Sequence, residues 1–401
     1  MLHNLAIPCL LLAIWMATTA ALANPAALEV PQPTPEMRTY SAIRYAIYFI
    51  ATAYSAFVYW AILQFGLAQK IRDAIAKRMS KPFLQVMCFY AILVFCVMVA
   101  MLPLGFYANF VLDHQFGLSN QTFGHWLSDL GKRKLVSIAI GAPVCALMFF
   151  IVNRFKNWGL VLWGVLVPII GFMIFVYPVA VDPLFNKFTE LKPSVVLNEI
   201  RLLERQAGIP DAPVFVVDKS RQTKKINAYV TGLAGTTRIV LWDTTLDKLS
   251  DEQVLAIVAH EIGHYVLGHV TQGFAIIAAV LLAAVLLVQR FEQRLLAAIP
   301  ARWGIGGKTD PAIIPLLMLA SVLVNFLIDP IYNGISRHVE HEADAYALQL
   351  TGNGAAMAST FITLSKMNLA DPNPPPFVEF WLFDHPTLKN RIEFALQDRR
   401  Q

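Results

Sequence analysis

Ala259-His260-Glu261-Ile262-Gly263-His264 sets two histidines four residues apart, with a glutamate beside the first. On a helix, residues i and i+4 share a face, so His260 and His264 can both reach one metal ion. Imidazole and carboxylate donors in a tetrahedral set suit zinc, one ion per chain. Such an ion lowers the pKa of a water to about 7, and Glu261 is placed to take the proton as general base. The flanking signals predict a helix. Ser250 and Gln253 form a capping box ahead of Val254, Ile257 and Val258. Gly263 costs up to ~1 kcal/mol against alanine in a helix interior, and room for a small residue beside the metal is one reason to carry it.

A catalytic zinc usually takes three protein ligands and leaves one position for water. The third is sought in Ser336-Arg337-His338-Val339-Glu340-His341-Glu342-Ala343-Asp344. Glu340 is the candidate ligand. Asp344, one turn later, can accept the second N–H of a ligating histidine and fix its tautomer. Glu342 lies about 200° round the helix from Glu340 and is expected to point away. His269, His338 and His341 are rival ligands. His269, five residues past His264, is turned off the shared face, and His341 beside Glu340 faces elsewhere. The plain alternative for this cluster is a solvated charged face after a membrane helix.

Composition sets the surroundings. Hydrophobic residues make up 57 % of the 401 and charged residues 15 %, and mean hydropathy is +0.54. That is a polytopic membrane protein with an inserted polar domain. No basic stripe with interleaved aromatics suggests nucleic acid. Cys9, Cys88, Cys96 and Cys145 all lie in apolar segments, so they imply neither a disulfide framework nor a zinc cluster with the histidines.

In chain order, residues 1–23 resemble a secretory signal peptide ending in Ala21-Leu22-Ala23, or an uncleaved signal anchor. Residues 24–40, with Pro25, Pro31, Pro33 and Pro35, read as an extended linker. N-terminal transmembrane helices occupy 41–182, with spans at about 42–66, 84–112, 135–153 and 157–179. Pro103 and Gly105 predict tilt or a kink in the second. The polar insertion covers 183–270. It reads as an amphipathic helix Val195–Gln206 and strands at Val214–Val217, Ile226–Thr231 and Arg238–Trp242, with Gly232 and Gly235 between the last two. The metal helix is expected to run on into a fifth span. Two transmembrane helices fill 271–333, and residues 334–401 complete the catalytic part. The count is six spans, or seven if the signal remains.

Lys70, Arg72, Lys77, Arg78 and Lys81 follow the first span, Arg154 and Lys156 the third, and Arg290, Arg294, Arg302 and Lys308 the fifth. Alternating spans put these on one side and Lys132, Arg133 and Lys134 on the other. The positive-inside rule makes the richer side cytoplasmic. The metal helix then faces outward, towards the periplasm if the membrane is a bacterial inner membrane.

Several separated stretches resemble the CAAX prenyl protease type 1 family. They are Lys219-Ser220-Arg221, Asn227 to Leu233, Arg238 to Thr244, His260 to His264, Ser336-Arg337 with Glu340 to Tyr346, and His385-Pro386-Thr387-Leu388, with Pro183 to Thr189 also fitting. These are intramembrane zinc metalloproteases with a gluzincin site, and the likeness covers roughly residues 85–395 in order. It implies that His260, His264 and Glu340 bind zinc, that Glu261 is the base and that Asp344 supports the ligands from behind. Asn227 and Tyr229 would lie on an edge strand that pairs with substrate backbone. His385 and Arg391 would stabilise the developing oxyanion. The chain departs from the family where Lys224-Lys225-Ile226 replaces Ser-His-Ser, and where Asp384 replaces a serine before His385-Pro386.

The expected fold is mainly α: a multi-pass helical membrane protein with an inserted α+β zincin-like subdomain. The expected function is a membrane-embedded zinc metalloendopeptidase, with peptide or protein substrates and membrane lipid around it. It would act in quality control or processing of membrane or exported proteins. A dedicated prenyl-protein CAAX protease is the alternative. A metal-binding transporter or scaffold without catalysis is the alternative of another class, and Glu261 argues against it.

Overall fold

The computed structural model describes residues 28–209, 212–232 and 237–397. The signal reading of 1–23, Leu233 and Gly235 lie outside them. Among the described residues, six helices are long and apolar enough to cross a membrane, and the chain is an integral multi-pass membrane protein.

Helix α1 spans Pro35–Gln64. Thr34 Oγ1 accepts from the Met37 N–H at 3.1 Å, and Pro35 takes the first turn, where its missing N–H costs nothing. The expected linker is therefore already helical from Pro35. A short amphipathic helix, α2 (Leu67–Ala76), leads to α3 (Pro82–Phe106). The irregularity expected near Pro103 takes the form of a π-helical turn at Tyr107–Val111, before the helix resumes to Gln115. Helix α4 (Phe123–Arg154) starts well before the apolar run at 135, because Thr122 caps it. Lys132, Arg133 and Lys134 thus sit within the helix rather than in a loop. Helix α5 (Trp158–Val176) also ends in a π turn, Tyr177–Val181.

The polar insertion comprises β1 (Phe188–Glu190), α6 (Val195–Gln206), β2 (Val214–Val217), β3 (Ala228–Thr231), β4 (Arg238–Trp242), α7 (Asp243–Lys248) and α8 (Asp251–Val266). The sheet order is β1-β2-β4-β3, and only the β2–β4 pair is parallel. Strand β3 is therefore an edge. Val254, Val258, Ala259 and Ile262 of α8 pack with Ile200, Ile239 and Leu241 in one buried core beneath the sheet.

Helix α8 does not run into the fifth span. It stops at Val266, the chain turns through Gly268 at φ +71°, and α9 begins afresh at His269 and continues to Ala297. A left-handed residue after the last turn suits glycine, which has no Cβ to clash. Conversely, the sixth span does not stop at 333. Helix α10 runs unbroken from Ile314 to Thr351 and carries Glu340 and Asp344 on the same rod that crosses the membrane. Helices α11 (Gly354–Met367), α12 (Pro376–Leu382) and α13 (Leu388–Gln397) close the catalytic part.

Contacts fix which loops share an end. Arg72 Nη1 donates to the Gly304 carbonyl at 2.8 Å and meets Asp310 at 2.5 Å. Trp158 Nε1 donates to Glu292 at 2.9 Å. The basic loops after the first, third and fifth spans therefore lie together. At the other end, Lys225 Nζ meets Tyr40 Oη at 2.9 Å, and Tyr40 donates to Asp113 at 2.7 Å. That end holds the sheet and α8.

Candidate active site

The capping box holds. Ser250 Oγ accepts from the Gln253 N–H at 3.4 Å, and Gln253 Oε1 accepts from the Ser250 N–H at 3.0 Å. Helix α8 therefore starts in a fixed register, and His260 and His264 fall on the face towards α10. Gly263 is what lets α10 come close. A Cβ there would meet the Ala343 carbonyl oxygen at 3.2 Å, its Cα at 3.3 Å and Tyr346 Cβ at 3.3 Å. The glycine therefore serves a helix crossing rather than leaving room beside a metal.

This crossing joins the two halves of the motif. His260 Nε2 lies 3.1 Å from His264 Nε2 and 3.1 Å from Glu340 Oε2, and His264 Nε2 lies 3.3 Å from Glu340 Oε1. Zinc bonds of about 2 Å in a tetrahedron separate ligand atoms by about 3.3 Å. Glu340 Oε2 is buried without a hydrogen bond of good geometry, although two imidazole nitrogens stand near it. A buried carboxylate and two imidazole nitrogens converging on one point suit a cation held among them. These three residues are the metal-ligating set found among the described residues, and they fit zinc.

The supports behind the triad are also specific. Asp344 Oδ1 lies 2.8 Å from His260 Nδ1, leaving Nε2 to face the metal position. Arg391 grips the same carboxylate with two bonds, Nε to Oδ2 at 2.8 Å and Nη2 to Oδ1 at 2.6 Å, and stacks 4.1 Å over the Phe361 ring. Burial opposes a charge on His260, but the Asp344 and Glu340 carboxylates outweigh it and push its pKa up to about 9.

Arg391 has a partner that local spacing did not announce. Its guanidinium is committed to Asp344 and lies at the Nδ1 side of His260, behind the ring, with Nη2 3.9 Å from Glu340 Oε2. That place orients the ligands, and Arg391 also lines the same cleft as Glu261 and His385. His385 stands in front. It is 47 % exposed, with Nε2 3.2 Å from Glu340 Oε2 and Nδ1 2.8 Å from Asp384 Oδ1. Arg337 helps place it: its Nη1 donates to the carbonyls of Glu379 and Phe383, at the end of α12.

The rival ligands lie elsewhere. His341 packs 4.4 Å from the Phe394 ring, and His338 stands exposed, 3.6 Å from Glu342. His269 is different. The turn at Gly268 folds it back so that its Nδ1 lies 2.9 Å from His264 Nδ1, while its Nε2 is 3.4 Å from Glu342. Helical spacing alone misses this contact, and the glycine one residue earlier is the signal that could have suggested it.

Glu261 faces β3. The Val230 N–H points at Glu261 Oε2 at 3.4 Å. The Ala228 N–H is met by Asn227 Oδ1 at 2.9 Å. Neither amide is used in the ladder with β4, so alternate backbone groups of an open edge look onto the site. Asn227 lines a cleft of about 440 Å³ with Lys225, His260, Glu261, Asp384 and His385. Tyr229 is half-buried beside the sheet, and burial pushes its phenol up to about 12.

Residues 193–399 match the model of peptidase family M48, and residues 23–187 match the CAAX prenyl protease N-terminal model of five membrane helices. The metalloprotease YhfN of Bacillus subtilis is 33 % identical over 96 % of this chain and 90 % of its own. CAAX prenyl protease 1 of Saccharomyces cerevisiae is 31 % identical over 77 % of this chain and 71 % of its own. The crystal structure of S. mikatae Ste24p superposes with a TM-score of 0.80 at 27 % identity, covering 90 % of this chain and 88 % of that one.

Proposed function

The chain belongs to peptidase family M48 and is a membrane-embedded zinc metalloprotease; on that premise we propose that it cleaves extended segments of membrane or exported proteins on the side away from the cytoplasm. The observation that carries the reading is the His260–His264–Glu340 triad, with ligand atoms within 4.8 Å of one another, set beside Glu261 and an open strand edge.

Zinc, when bound, supplies Lewis acidity towards a water and a peptide carbonyl. Substrate backbone pairs with the outward amides of Ala228 and Val230, which asks for an extended chain and little side-chain identity. Glu261 takes a proton from the attacking water as its oxygen bonds to the carbonyl carbon. It then gives that proton to the amide nitrogen as the C–N bond breaks. Asp344 and Arg391 keep His260 in the tautomer with Nε2 forward. His385, held by Asp384, supplies a donor at the exposed rim where negative charge develops.

The positive-inside rule supports a cytoplasmic place for the end that holds Arg72, Arg154 and Arg302, and hence a periplasmic site in a bacterial inner membrane. Processing or quality control of exported chains follows from that side. Dedicated prenyl-protein processing is the second reading, favoured by the name carried by the yeast relative.

Purified protein in detergent tests both readings. Wild type and Glu261→Gln are given an unmodified peptide, a farnesylated CAAX peptide and an unfolded membrane protein. Cleavage by wild type of the unmodified chains, with Glu261→Gln slower by a factor of about 10²–10⁴ while holding stoichiometric zinc, supports the first reading. Cleavage of the farnesylated peptide alone replaces it with the second.

A further inference from the structure

The end of the molecule opposite the active site has a groove of its own. Lys70, Ile71, Ala74, Ile75 and Arg78 recur along one side of α2 and the turn after it. With Cys88 and Ile92 of α3 they enclose an open groove of about 410 Å³. Its floor is apolar, with Ile71 and Ile75 buried and Ile92 40 % exposed. Its mouth is cationic. Lys70 and Arg78 are exposed, with exposed Lys77 and Lys81 close by in sequence, and none of the four makes an ion pair among the described residues. The one acidic residue of α2, Asp73, is already engaged by Arg72 at 2.9 Å, and Arg72 turns to Asp310.

Depth separates the two chemistries. Helix α3 enters the membrane from Pro82, so Cys88 and Ile92 lie about 9 and about 15 Å further along its axis. The groove therefore runs from the level of the basic loop into the level of hydrocarbon. A free phosphate would leave the apolar floor unfilled, and a zwitterionic lipid would leave the cations without net countercharge. We propose that this groove is a binding site for one anionic phospholipid. Its headgroup phosphate sits between Lys70 and Arg78, and one acyl chain lies along Ile71, Ile75, Cys88 and Ile92.

Native mass spectrometry of the full chain in detergent tests the site. The probes are phosphatidylglycerol and phosphatidylcholine of equal chain length, with glycerol phosphate as competitor. The expected result is one retained phosphatidylglycerol, little phosphatidylcholine and no competition. Lys70→Gln with Arg78→Gln lowers phosphatidylglycerol affinity at least about tenfold, the effect of removing two near-surface cations. Ala74→Trp fills the groove, leaves the cations in place and lowers retention as well. Lys132→Gln with Lys134→Gln, at the other membrane face, leaves it unchanged. Equal retention of phosphatidylcholine, competition by glycerol phosphate, or undiminished binding in either groove variant overturns the proposal.

Discussion

His269 shows how one residue's role depends on where a helix ends. Extended straight, α8 would turn it about 140° away from His264. The break at Gly268 instead brings the two rings together through Nδ1, 2.9 Å apart. That contact leaves His264 Nε2 for the metal, as Asp344 does for His260. Partners of this kind are worth about 10–100-fold in metal affinity. His269→Ala is accordingly expected to release zinc at least about tenfold faster to a chelator, with His269→Gln restoring part of the loss. His260 adds a pH dependence. Its pKa of about 9 means that the metal-free site holds a proton there at neutral pH. Zinc must expel it, so zinc affinity rises with pH up to about 9 and falls about tenfold per unit below that. Titrating the zinc dissociation constant between pH 6 and 8 checks the sign. Asp344→Asn removes a carboxylate that holds the proton and should flatten the slope.

Helix α8 and helix α10 meet across Gly263 and Ala343, and the metal site exists only because they do. Gly263→Val puts methyl groups against backbone that cannot yield cheaply. The expected cost is about 1–3 kcal/mol of stability, read as a lower midpoint in thermal unfolding, with zinc lost ahead of the global transition. Arg337→Ala is a different lesion. It frees the carbonyls of Glu379 and Phe383 and unpins His385, so turnover falls while zinc stays bound. Much of this layer was legible in sequence. The capping box, the i and i+4 histidines and the Glu340–Asp344 pair each depend on local periodicity, which survives folding. Strand β1 was not legible, since three residues are too few to show alternation. Nor was the real work of Gly263, because a helix crossing is a fact about Ala343, eighty residues away in the chain. The engagement of Arg391 by Asp344 was hidden for a similar reason. Asp344 satisfies it from another helix, and no local spacing announces that.

For the molecule as a whole, apolar runs located all six spans, while helix ends were set by caps and turns that hydropathy does not weigh. Thr34 and Thr122 start their helices early, and Gly268 ends one that hydropathy would continue. The contacts show which loops share an end, such as Arg72 with Asp310, and the proposed sidedness adds the positive-inside rule to that. A reporter fused after residue 82 is expected to read as cytoplasmic. The opposite result would turn the active site inward and favour prenyl-protein processing.

Helix α10 gives the site a mechanical property. Glu340 lies about 17 residues, or about 26 Å, beyond the middle of the membrane-crossing part of the same continuous helix, with Pro330 between them. A helix that tilts by about 5° to match a thinner bilayer swings a point at that radius by about 2 Å. Bond lengths to a metal tolerate about a tenth of that. Either α8 follows the swing through its contact at Gly263, or the coordination opens. Bilayer thickness thus enters the chemistry as a lever arm. Turnover measured in vesicles of graded acyl length is expected to pass through a maximum, and the same series in Gly263→Val, where the two helices are forced apart, to fall away more steeply on both sides.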